Sequence, residues 1–335
     1  MSLIQVSNIY KPVPFNDSVA LEIKRNNNFL NSGLLYNNPD FLALAQAGGE
    51  LINVPFWNPL GIAEPQYPTD TTTEITPKNL AMQYMKVKIQ RGVEAWSEAR
   101  LTQLVSGTTN GKGLDAVAKG IGKYWNTDIN QRITNTLKGV ILDNIANDAG
   151  DMIYKSAVEV VGDQSDATKI NGENVLLALA TMGEIEQELT GMVIHPVPYA
   201  KLKANNLIDF IPDSMGVVNI PTYMGMRVFV DAYAPTVAGT TSGTTYYTIF
   251  FGMGALGYAE IPNENASAID KNELAGTGAG VETLVTRHNK IIHPTGFDWL
   301  VATGTNPAYS TLATAGSWNR LVDRNQVRIA CLISN

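Results

Sequence analysis

A chain of 335 residues with 44% apolar and 16% charged residues is long enough for two or three compact units and too apolar for a disordered protein. Its net charge of −7 excludes a generic grip on duplex nucleic acid, and its single cysteine excludes internal disulfides and cysteine-based zinc clusters. It shows neither a basic-then-apolar leader nor an uncharged apolar run of membrane-spanning length, so a soluble, cytoplasmically made protein with no membrane partner is expected.

Residues 1–45 are poor in helix signals. The Asn-dense stretch RNNNFLNSGLLYNNPD (25–40) buries little, so an arm that orders only against another surface is expected there. In ELINVPFWNPL (50–60), Ile52, Val54 and Phe56 alternate at strand spacing. In MQYMKVKIQ (82–90), Met85, Val87 and Ile89 alternate with Lys86, Lys88 and Gln90, which predicts a second strand with its polar residues on the other face. The two strands, joined by the turn-rich stretch 61–77, form an extended hairpin that needs a partner surface. No Lys or Arg lies between Arg25 and Lys78, whereas Lys and Arg recur from Lys86 to Lys138. The pattern fits either ordinary solvation or head-to-tail docking of one subunit's hairpin on the next subunit's body. For docking, the candidate contacts are Trp57, Glu64, Asp70 and Glu74 on the hairpin and Lys112, Lys119, Lys123 and Arg132 on the body.

AWSEARLTQLVSG (95–107) reads as a short helix and residues 113–148 as a long one. In the long helix Leu114, Val117, Ile121, Trp125, Ile129, Ile133, Leu137, Val140 and Ile141 recur every three or four residues. Gly120, Gly122 and Gly139 weaken it and suggest a bend. Residues 171–189 read as another helix, capped by Asn171. Beyond Gly191 come a buried strand (GMVIHP), a short helix (PYAKLKANN), two strands around a Gly/Pro turn (216–235), a loop (TVAGTTSGTT) and a strand-rich segment (YYTIFFGMGALGYAEI). A long or bent strand (GVETLVTRHNKIIHPTGFDWLVA) and a terminal strand (VRIACLI) follow. The class is α+β.

Chemical motifs fail one by one. GMGALG (252–257) has dinucleotide spacing but is followed by YAEIPNENAS rather than by a helix, so a tight turn beside a strand is expected. GTTNGKG (107–113) carries Gly113 where a phosphate loop needs Ser or Thr. His288 and His293 lie five apart, an odd offset that puts them on opposite faces of a strand, and only His195 remains as a third imidazole. Cys331 lies in an apolar strand, and Glu184 and Glu186 read as a solvated helix segment. No catalytic residue, cofactor or metal is assigned.

Three stretches carry a resemblance. They are GMVIHPVPYAKLKANNLIDF (191–210) followed by IPTYMGMRVFVDAYAP (220–235), then TLVTRHNKIIHPTGFDW (283–299), and the closing SWNRLVDRNQVRIACLISN (317–335). Their order resembles the major capsid protein of tailed bacteriophages, over nearly the whole chain. The resemblance implies the fold shared by tailed-phage and herpesvirus shells. It implies an N-terminal arm at 1–45, an extended loop at 46–90, a peripheral domain with a spine helix at 91–190 plus 281–303, and a mixed axial domain at 191–280 plus 304–335. It also implies hexamers and pentamers tiling an icosahedral virion shell assembled in the host cytoplasm, together with portal, scaffolding and decoration proteins. A dsDNA genome would be enclosed without sequence-specific binding. The lack of Lys from 25 to 77 argues against the covalent crosslinking of some relatives, and the short arm implies a separate scaffold or none. Two alternatives stay open: a cargo compartment shell of the same fold, and a metal hydrolase using His195, His288 and His293.

Overall fold

The computed structural model describes residues 12–27, 29–30, 33–46, 49–57, 65, 67, 74, 82–97, 112–205, 207–212, 219–239, 243–263, 265–272, 281–301 and 306–335. In chain order the first elements are α1 (Pro12–Asn26), β1 (Leu35–Asn37), α2 (Pro39–Gln46), β2 (Leu51–Trp57), β3 (Met82–Lys88), β4 (Gln90–Ser97), α3 (Lys112–Asn147) and β5 (Ile153–Lys155). Then come α4 (Gly172–Ala180), β6 (Leu189–Ile194), α5 (Pro196–Ala204), β7 (Asp209–Pro212), β8 (Asn219–Tyr223), β9 (Met226–Val230), β10 (Thr236–Ala238) and β11 (Thr244–Gly252). The chain closes with β12 (Leu256–Ile261), β13 (Ser267–Asn272), β14 (Val281–Pro294), β15 (Phe297–Trp299), α6 (Tyr309–Leu312), β16 (Trp318–Arg320) and β17 (Ile329–Ser334).

Among the described residues, two larger sheets organise these elements. One has eight strands in the order β5-β17-β11-β6-β9-β8-β7, with β10 also on β11. The other centres on β14, which carries β12 and β13 in succession along one edge and β4 along the other, with β1 parallel on β12. The turn through Gly252–Gly257, with Gly254 at φ 75°, passes the chain from β11 in one sheet to β12 in the other. GMGALG is thus a sheet-switching turn, as its extended sequel suggested.

Helix α3 runs 36 residues, about 54 Å at the usual rise. Its apolar stripe from Val117 to Ile141 is buried in a core shared with both sheets, and Ile129, Ile133, Leu137, Val140 and Ile141 are fully enclosed. The helix runs unbroken through Gly120, Gly122 and Gly139. A Cβ on Gly122 would meet Glu22 of α1, and one on Gly139 would meet the Leu312 carbonyl and the Trp318 indole, so both serve close packing. Strand β17 shows how the larger sheet is buried on both sides. Ile329, Cys331 and Ile333 face the α3 core, while Ala330 and Leu332 face the layer that holds α4 and α5. Asn171 caps α4 as expected, accepting from the Asn174 amide at 2.8 Å.

Several expectations change. The segment 1–45, poor in helix signals and expected to be an arm, contains α1, whose Phe15 and Ile23 enter the α3 core. Asn27 is buried and ties the following turn, accepting from the Phe29 and Leu30 amides and donating to Asn126 Oδ1 at 2.6 Å. The expected helix at 95–107 begins as strand instead: β4 extends to Ser97, because its pairing with β14 (Gln90↔Lys290 to Ser97↔Thr283) outweighs local helix propensity. Residues 98–111, which hold most of GTTNGKG, lie outside the described residues. Helix α4 stops at Ala180, and Gly183–Glu188 is a 3-10 helix. The expected loop after Pro235 includes β10, on β11. Strand pairing runs across the expected boundaries at 190 and 280. Strand β5 joins β17 and α4 packs beneath the eight-stranded sheet, whereas residues 256–272 pair with β14.

Candidate assembly surface

The hairpin forms as its alternation requires. β2 and β3 pair antiparallel from Leu51↔Lys88 to Trp57↔Met82. Ile52, Val54, Met85 and Val87 point inward onto Phe41, Ala45, Ile89, Ala259 and Ile291. The outer face carries Trp57 (65% exposed), Tyr84 (56%) and Met82 (43%), a contiguous apolar stripe because Pro55 lies opposite Tyr84 and Trp57 opposite Met82. Sequence reading singled out Trp57 but missed the stripe. Its signal is the second set of alternating positions, 55, 57, 82 and 84. Glu50 pairs with Lys88 at 2.9 Å, and that hydrogen bond and charge hold its carboxyl below the usual range. Lys88 and Gln90, expected on the solvent face, are buried.

The other docking candidates divide. Glu74 is exposed, and so are Lys119 and Lys123 on α3. Glu64 and Asp70 lie outside the described residues, as does the side chain of Lys112. Arg132 is buried and engaged within its own chain. Its Nε donates to Asp128 Oδ1 at 3.0 Å, its Nη1 donates to Gln90 Oε1 and the Pro307 carbonyl, and its guanidinium lies 5.3 Å from the Tyr309 ring centre. That takes Arg132 out of the docking set, because a buried, paired guanidinium does not face a neighbour.

Around Arg132 lies a buried charge cluster that sequence reading did not find. Lys290 of β14 is fully buried, donates to Asp128 Oδ2 and sits 5.4 Å from the Trp125 ring centre. Tyr309 donates to Asp128 Oδ1 at 2.6 Å. Burial lowers the Lys290 amine to about 8 despite the facing carboxylate. Burial alone would raise Asp128, but the Lys290 and Arg132 charges overcome it and hold it low, so the pair is ionised at neutral pH. His288 contacts Lys290 Nζ at 3.4 Å and Glu260 at 3.2 Å, and burial lowers its pKa. The cluster ties α3 to β14 and to the segment before α6.

The histidines occupy three settings. His288 and His293 fall on opposite faces of β14: His288 stacks on Trp125, while His293 pairs with the Phe297 carbonyl at 2.8 Å beside Phe41 and Trp318. His195 caps α5 by accepting from the Val197 amide. Among the described residues no group of three or more His, Cys, Asp or Glu could hold a metal. The Cys331 thiol is fully buried, which pushes its pKa up.

Burial lowers His293 to about 4. Because the unfolded chain takes up this proton near 6.5 and the folded one does not, stability falls as pH drops from about 6.5 to 4, by up to about 3 kcal/mol from this residue. His288 acts in the same direction. Urea unfolding of unassembled subunits should show His293→Gln losing part of the wild-type acid sensitivity between pH 6.5 and 4.5. Identical slopes would refute the assignment.

The described residues combine a long helix packed between two sheets with a hairpin that leaves an apolar outer face exposed. Two solved phage capsids share this fold. The fold matches the capsid of Ralstonia phage GP4 (TM-score 0.52, 11% identity, 86% of this chain and 84% of that one). It also matches the cyanophage Pam1 capsid asymmetric unit (TM-score 0.51, 10% identity, 90% and 88%). In sequence the chain is 29% identical to the major capsid protein of Bacillus phage SPP1 over 334 residues, 98% of this chain and 97% of that one. The Gp13-like family model, described as major capsid protein 13-like, matches residues 41–328, and the chain belongs to that family. It is a tailed-phage major capsid protein, a structural component of the virion's icosahedral shell. The cargo-compartment and metal-hydrolase alternatives give way to it.

Proposed function

We propose that the chain assembles with itself as hexamers and pentamers into the shell around a phage dsDNA genome, each β2–β3 hairpin lying on a neighbouring copy. The observation that carries this is the exposed Trp57–Met82–Tyr84 stripe on a hairpin whose other face is already buried against its own body. A two-stranded ribbon is marginal alone, and a second apolar face asks for a second partner. The exposed Glu74, Lys119 and Lys123 stand as rim contacts that orient the approach. In this reading α3 with the β14 sheet is the peripheral unit, and the eight-stranded sheet with α4 and α5 is the axial one. The role is structural and has no catalytic step. A net charge of −7 suits a wall that encloses DNA without gripping it. Portal, scaffolding and decoration proteins are the further partners of such a shell.

Electron microscopy of the purified protein tests this. Closed shells with two capsomer types are expected, with hairpin density lying over an adjacent subunit. Monomers that stay unassembled at high concentration, or shells whose hairpins face solvent, would overturn it.

A further inference from the structure

Among the described residues, the hairpin's ladder leaves one edge of β3 without a partner strand. The Ile89 amide donates to the Glu50 carbonyl at 3.0 Å, so hydrogen-bonded pairs fall at 50/89 and then alternately at 52/87, 54/85 and 56/83. The pairs Asn53↔Lys86 and Pro55↔Tyr84 lie between them, where a proline loses no ladder bond. The Lys86 amide therefore points off the open edge. There it meets Asp298, 212 residues away in sequence, whose Oδ1 accepts from it at 2.6 Å. Asp298 is 8% exposed and sits on β15, held in a ribbon with β16. Closer to the body, the Gln90 side chain donates to the Ile292 carbonyl and accepts from Arg132, and the Arg91 amide donates to Asn306 Oδ1 at 3.1 Å.

We propose that Asp298 is a positioning residue: its carboxylate replaces a third strand on the open edge of β3 and fixes the angle at which the hairpin leaves the body. The proposal rests on the reading that the hairpin docks on a second copy. The Lys86 ammonium, 3.8 Å from Asp298 Oδ2 and half exposed, adds little, so the backbone bond is the working contact.

The test uses full-length chains. Asp298→Ala should raise amide exchange across residues 82–88 of unassembled subunits about tenfold, the usual scale for losing one charge-assisted hydrogen bond, with exchange in α3 unchanged. Its particles should be scarce or uneven in diameter. Asp298→Asn keeps an oxygen acceptor and should restore both readouts. Lys86→Met keeps the amide and should behave as wild type. Uniform shells from Asp298→Ala, or Lys86→Met matching Asp298→Ala in its defects, would overturn the assignment. Trp57→Glu separates the two readings. If it blocks assembly while Asp298→Ala does not, the positioning role alone fails. If neither variant affects assembly, the docking reading fails with it.

Discussion

Replacing Lys290 by Met lowers the unfolding free energy of the isolated subunit by about 3 kcal/mol, near the lower end of what breaking a buried ion pair costs. Lys290 is fully enclosed, with its ammonium between Asp128 and the Trp125 ring. Met fills much of the same volume, so packing loss is small and the effect is electrostatic. Asp128 keeps Arg132 at 3.0 Å and Tyr309 at 2.6 Å, which is why the loss stays moderate. Asp128→Leu should be worse, because it strands two buried cations that share one anion. The triple change Lys290→Met, Asp128→Leu, Arg132→Met removes the three charges centred on Asp128 and should recover most of the loss. Urea unfolding with unchanged slope is the measurement. If Asp128→Leu is milder than Lys290→Met, Asp128 is not the hub.

That knot also shows what the sequence can and cannot reveal. Helix α3 and the hairpin were legible because each obeys one period over many residues; burial follows the stripe in α3 from Val117 on and at Ile52, Val54, Met85 and Val87, and departs from it at Lys88 and Gln90. The knot was not legible, because its members come from α3, β14, the segment before α6 and α6 itself. Only the four-residue spacing of Asp128 and Arg132, beside an apolar stripe, hinted that Arg132 was internal. Helix α1 had a readable signal in Phe15, Val19 and Ile23, spaced by four, which the Asn-rich stretch after it obscured. Strand β4 had almost none. Its Gly92 reads as a helix breaker or a loop residue, whereas in the fold a Cβ there would run into the Trp125 ring. The pairing across the expected inner boundary has the same cause. Strands β12 and β13 follow β11 directly in sequence, yet they hydrogen-bond to β14, and that choice depends on pairing rather than on local texture.

Changing Trp57 and Tyr84 together to Glu should leave the subunit folded and stop it from assembling. Both side chains are mostly exposed, so substitution should change subunit stability by no more than about 0.5 kcal/mol. At an interface, aromatic anchors are worth about 2 kcal/mol or more each, so losing even one raises the concentration needed for shells roughly 30-fold. Glu at both positions also places charge where the neighbour would present an apolar patch. The competing account assigns docking to the acidic hairpin and the basic body. Under it, charge reversal at Glu74, Lys119 and Lys123 should cripple assembly, and rising salt should mimic the mutants. Exposed pairs of this kind contribute about 0–1 kcal/mol and are screened by salt, so the charge variants should slow assembly without abolishing it. Light scattering against protein concentration at two ionic strengths separates the accounts. Salt-resistant assembly that the aromatic double variant abolishes places the docking energy on the apolar stripe. Salt-sensitive assembly that survives Trp57→Glu and Tyr84→Glu returns it to the charges.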